Sequence, residues 1–179
     1  MRAVVAAFVL AVVCSSASAQ TTSRSYWLLS REGGHMWCGY SDMAEFQSEA
    51  SKLKPTESAR VTYSSGRLAE VTYQIEPESA DWVVVDKYTP SDNEVVLRRA
   101  NLLAQENLEV IQDAIIRGGK AEPLRTTKVT TLQGKEVEGP RKIDFPDVPV
   151  RTSLSKIPFM LVVAEMRNRS LPKLCKKSE

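Results

Sequence analysis

Histidine is almost absent from this chain. His35 is the only one in 179 residues, so any Ser-His-Asp, Cys-His or multi-histidine metal arrangement would have to be built around that single side chain. It lies between Gly34 and Met36 at an expected turn, where a surface or hydrogen-bonded role is the simplest reading. Cysteine is scarce too. The three present are Cys14, Cys38 and Cys175, and the lack of a C-x-x-C pair argues against thiol-redox and zinc motifs. Long apolar runs are missing as well: residues 3–13 form the longest, and at about 1.5 Å per residue they span roughly half of a ~30 Å hydrocarbon core. Neither sign of charge dominates, since 24 Lys and Arg face 22 Asp and Glu, and a net charge of +2 argues for no nucleic acid or other polyanionic partner. Glycine builds no phosphate cradle. Gly118-Gly119-Lys120 lacks the longer frame and following Ser or Thr of a Walker loop, and Ser64-Ser65-Gly66 lacks the G-x-S-x-G nucleophile elbow. No cofactor is implied, and no internal repeat or low-complexity tract stands out.

The first residues supply an address. Arg2, the apolar run 3–13 and the small triplet Ala17-Ser18-Ala19 have the layout of a cleavable export signal, so residues 1–19 are expected to be removed. A lipoprotein anchored through Cys14 is the alternative, and Val13 stands where such signals normally carry a small residue. Export implies an oxidising compartment, where Cys38 and Cys175 are expected to form a disulfide clasping the two ends of the domain. The expected organisation is a flexible lead-in over residues 20–25, one β-rich domain over 26–166 and a basic tail over 167–179.

Periodicity predicts a mainly β fold: an antiparallel meander, either an open curved sheet or a partial barrel, with one short N-terminal helix. Residues 25–31 and 35–40 form an aromatic-rich hairpin. Asp42 and Glu45 have capping spacing, and Met43, Phe46, Ala50 and Leu53 recur at helical steps before Pro55, predicting a helix over 42–53. Residues 68–76 alternate strictly, and 82–88 carry consecutive valines suited to a strand covered on both sides. Residues 95–116 admit either one long helix, giving an α+β fold, or two strands turning at 105–107. The turn-like spacing of Gly66, Asn93, Asn107, Gly118 and Gly134 favours strands. A Thr-rich strand over 124–132 follows, then a proline-broken segment over 139–150 expected to cover the sheet rim, and a last strand over 159–166.

Chemistry-bearing groups are few. Glu70, Asp81, Asp86 and Glu109 would serve glycoside hydrolysis only if they faced one cleft. Trp27, Trp37, Tyr73, Trp82 and Tyr88 are candidate walls of an apolar ligand cavity, although such rings equally build a core. Arg167, Arg169, Lys173, Lys176 and Lys177 are candidate contacts to an anionic surface. Asn168 begins a glycosylation sequon that matters only in a eukaryotic secretory pathway. The expected function is a secreted or periplasmic, non-enzymatic binding protein whose sheet face or cavity holds an apolar ligand or an envelope partner. A structural or assembly interaction module is the alternative, and a hydrolase comes third.

Overall fold

The computed structural model describes residues 22–31, 34–137, 139 and 142–177. The expected signal segment, Cys14 included, lies outside the described residues. The strands in chain order are β1 (Ser23–Arg31), β2 (Met36–Tyr40), β3 (Glu57–Ser64), β4 (Arg67–Ile75), β5 (Trp82–Pro90), β6 (Val95–Leu103), β7 (Leu108–Arg117), β8 (Lys120–Ala121), β9 (Arg125–Thr131) and β10 (Lys173–Lys177), with helices α1 (Met43–Leu53) and α2 (Pro158–Arg169). Among the described residues these strands make one open antiparallel sheet in the order β10-β2-β1-β3-β4-β5-β6-β7-β8, and β9 also pairs with β7.

Turn chemistry explains the meander. Asn107 takes a φ of +53° between β6 and β7, and Gly118 and Gly119 take +56° and +76° after β7, a region that side chains with a Cβ rarely enter. Residues 95–116 are therefore two strands in register from Val95↔Ile116 to Leu103↔Leu108. Helix α1 starts where Asp42 accepts a hydrogen bond from the Glu45 N–H at 2.8 Å and stops at Lys54, ahead of Pro55.

The period of two divides the sheet into two faces. One face is covered. Tyr26, Leu28, Trp37, Val61, Val71, Tyr73, Tyr88 and Leu97 pack there against Phe159, Val162, Val163 and Met166 of α2. Gly39 on β2 is part of this contact, because a Cβ at that position would stand 2.5 Å from the Met166 sulfur and 3.0 Å from Val162 Cγ1. On the opposite face, α1 seats Phe46 and Ala50 over Leu29, Cys38 and Tyr40 only.

Four expectations are corrected. Residues 159–166 are helical, not a strand: Phe159, Val162, Val163 and Met166 recur at three- and four-residue steps and are buried together, Pro158 opens the helix, and Ser170 closes it in the left-handed region. Order begins before Tyr26, since Ser23 already pairs with Ser64. The basic residues from Lys173 onward belong to the sheet instead of forming a separate tail, because β10 pairs with β2 and places Cys175 opposite Cys38, where the expected disulfide forms across 137 residues of chain. The proline-broken segment crosses the covered face rather than the rim: Ile143 packs on Leu103, Leu108 and Val110, and Val150 joins the main core. No helix among the described residues is long and apolar enough to cross a membrane.

Candidate functional site

Among the described residues the side of β5, β6, β7 and β9 that faces away from α2 carries no covering helix, since α2 packs on the other face and α1 sits over β1 and β2. Strand alternation turns Lys87 and Thr89, Val96 and Arg98, Asp113 and Ile115, and Arg125 and Thr127 toward this open side. They line a groove of about 590 Å³, together with Glu122 and Pro123. That volume lies within the ~300–1,000 Å³ range of small-molecule sites. Val83, Val85, Ala100, Leu102 and Ile111 extend the same face and are only partly buried. The expectation that residues 82–88 are covered on both sides is thus corrected: Val83 and Val85 are only partly buried, on a face that no second layer of the described residues seals. Val96 is 41% exposed, a sizeable apolar side chain left to solvent in the groove floor.

Most of the charged rim is internally paired. Arg98 Nε donates to Asp113 Oδ1 at 3.0 Å and Thr127 Oγ1 donates to Asp113 Oδ2 at 3.2 Å. The Arg98 hydrogen bond holds the Asp113 carboxyl below its usual range, against the opposing effect of burial. Lys87 Nζ lies 2.6 Å from Glu70 Oε2, and Arg117 Nη1 lies 2.9 Å from Glu122 Oε1. Lys87 also holds the Glu70 carboxyl low, with burial opposing and Arg60 reinforcing the effect.

The covered face holds a buried polar network. Arg99 donates from Nε to Asp86 Oδ1 at 2.7 Å and from Nη2 to Asp86 Oδ2 at 2.8 Å, while Nη1 reaches the Val148 carbonyl at 2.7 Å. Tyr88 donates its hydroxyl to Asp86 at 3.0 Å and accepts the Arg151 N–H at 3.2 Å. Asn101 donates to Gln112 at 3.0 Å. Burial, reinforced by the charge of Asp86, pushes the Tyr88 phenol well above its usual range. Burial opposes the Arg99 charge, and Asp86 more than offsets it, so Arg99 titrates above the ordinary arginine value. The network ties the irregular segment to the sheet and presents no free nucleophile.

The expected site residues disperse. Trp37, Tyr73 and Phe159 form a closed triad with ring centroids 4.9 to 6.2 Å apart, and the Tyr73 hydroxyl bonds the Glu57 carboxylate. Tyr88 is fully buried. Trp82 packs beside Leu103 and Leu108, and Trp27 sits on the opposite side of β1 from Tyr26 and Leu28. The five rings therefore line no common cavity, and none lines the groove. Asp86 lies on the covered face while Glu70 lies on the open one, Asp81 sits in the turn before β5, and Glu109 accepts from Thr130, so these carboxylates do not converge. Among the described residues no cluster of three or more His, Cys, Asp or Glu is placed to hold a metal.

The basic candidates are also spread out. The Arg167 guanidinium stacks 3.7 Å from the Tyr63 ring centroid, Arg169 and Lys176 each bond Glu165 at 2.9 Å, and Lys173 pairs with Glu45 at 3.1 Å. Lys177 ends the edge strand. Asn168 lies in the last turn of α2, and His35 is exposed in its turn. The groove residues Val96, Ile115 and Arg125 were not singled out by sequence reasoning. The signal was there: β5 to β7 carry apolar residues at outward as well as inward positions. No protein-family model, curated protein or solved structure matches the chain.

Proposed function

We propose that this chain is an exported, non-enzymatic binding protein whose open sheet face holds an apolar ligand in the groove across β5, β6, β7 and β9. One observation carries the reading: a groove of about 590 Å³ with Val96, Ile115 and Pro123 at its lining lies on a face that no helix among the described residues covers. Leaving such surface in water forgoes roughly 25 cal/mol for every Å² of apolar area, which a bound hydrocarbon would recover. The disulfide is consistent with an oxidising compartment. The inward polar groups supporting the floor are already paired with one another, which suits a rigid scaffold for binding better than a catalytic centre.

The test is native mass spectrometry of the full chain purified from its source cells, followed by denaturing mass on the same sample. The expected result is a discrete small-molecule mass in the native spectrum that vanishes on denaturation and is lost in Val96→Asp. A native species of bare protein mass that also takes up no neutral apolar probe, such as N-phenyl-1-naphthylamine, would count decisively against it.

A further inference from the structure

We propose that the groove's ligand is a long-chain carboxylate, its alkyl part lying over Val96 and Ile115 and its carboxylate held by the Arg125 guanidinium. The inference rests on the groove being the binding site and adds the chemistry of what it takes. Five charged side chains line the groove: Lys87, Arg98 and Arg125 against Asp113 and Glu122. Arg98 and Asp113 satisfy each other, Lys87 is held by Glu70, and Glu122 is held by Arg117. Among the described residues the Arg125 guanidinium alone of these five has no hydrogen-bond or ion-pair partner. The unmatched charge is therefore a single positive one, at the rim of an apolar floor.

Its position also fits an amphiphile. Arg125 sits on β9, in register with Asp113 of β7, while Lys87 and Thr89 lie on β5 at the other side of the groove. The four strands span about 14 Å at the usual spacing of ~4.8 Å between neighbours, so an extended hydrocarbon can cross the floor while its head stays at one rim. A guanidinium presents paired N–H donors that match the two oxygens of a carboxylate. A neutral alkane would leave this cation unmatched, and an alkylammonium would meet it with like charge.

Displacement of N-phenyl-1-naphthylamine from the intact, oxidised protein tests this, using dodecanoate, 1-dodecanol and dodecyltrimethylammonium as competitors at pH 7.5. Dodecanoate is expected to compete best. Arg125→Gln is expected to weaken dodecanoate about fivefold, the effect of a solvent-accessible ion pair, and to leave dodecanol unchanged. If dodecanoate and dodecanol compete equally, or if Arg125→Gln leaves dodecanoate unaffected, the carboxylate is refuted while the apolar groove stands. If the probe is not taken up, or is taken up equally by Val96→Asp, the groove reading falls and this inference falls with it. Arg125-dependent co-sedimentation with phosphatidylglycerol vesicles, without dodecanoate competition, would overturn it in favour of a membrane surface.

Discussion

Removing Asp86 strands a buried cation, and the cost follows from the geometry. Asp86 and Arg99 are 2% and 4% exposed at their side chains, and Asp86 accepts two of the three hydrogen bonds that the Arg99 guanidinium makes. In Asp86→Ala the guanidinium keeps only the Val148 carbonyl, and the Tyr88 hydroxyl loses its acceptor. Breaking a buried pair by deleting one partner typically costs about 3–5 kcal/mol, a large share of a total stability near 5–15 kcal/mol. For a chain of this size that corresponds to a fall in Tm of roughly 6–20 °C. Replacing both partners with apolar residues of similar size, Asp86→Leu with Arg99→Met, removes the stranded charge and is expected to recover most of the loss. Urea unfolding followed by tryptophan fluorescence measures all three variants. The reasoning is refuted if Asp86→Ala shifts the midpoint by less than ~1 kcal/mol equivalent, or if the double variant is as unstable as the single one.

Gly39→Ala is expected to cost about 1–3 kcal/mol, because the new methyl meets a branched Val162 carbon and the buried Met166 sulfur between β2 and α2; an unchanged urea midpoint would show that α2 shifts freely. Reducing the Cys38–Cys175 bond reopens a 137-residue loop, and the chain-entropy account puts the loss at about 5 kcal/mol; equal unfolding midpoints with and without reductant would refute it. Glu70 titrates below its ordinary value because of Lys87, then Arg60, so as pH falls the unfolded chain takes up that proton first. The stability it supplies is complete above the usual glutamate range and is lost as pH falls through its depressed folded pKa. Lys87→Met should therefore flatten this part of the acid limb of a Tm profile between pH 7 and 3, and an unaltered profile would remove Glu70 from the account.

How much was legible in the chain depended on whether the deciding interaction was local. Strand β4 was readable because a two-residue period needs only neighbouring positions, whereas over residues 95–116 periodicity left a helix open and strands were favoured only because Asn107, Gly118 and Gly119 mark turns by their own backbone preferences. Helix α1 was readable for the same reason, with Asp42 at one end and Pro55 just beyond the other. The disulfide followed from there being two cysteines left after the expected signal, not from any local pattern. The α2 segment misled because six consecutive apolar residues suit a buried strand as well as a helix, and packing against Gly39 and Trp37 chose the helix.

Strand β10 was hidden because its partner β2 lies more than 130 residues away, and a short Lys-rich stretch has no preference of its own strong enough to show. The candidate site was hidden more deeply. Aromatic residues draw attention in a sequence, yet burial is so favourable for large rings that Trp37, Tyr73 and Tyr88 were consumed by the core. By itself the sequence determined the strand periods, the turns, the first helix and the cysteine pair, since each depends on neighbouring residues or simple counting. Only the tertiary structure decided which sheet face α2 and the irregular segment would cover, and hence which apolar positions, Val96 and Ile115 among them, would remain open beside an unpaired Arg125.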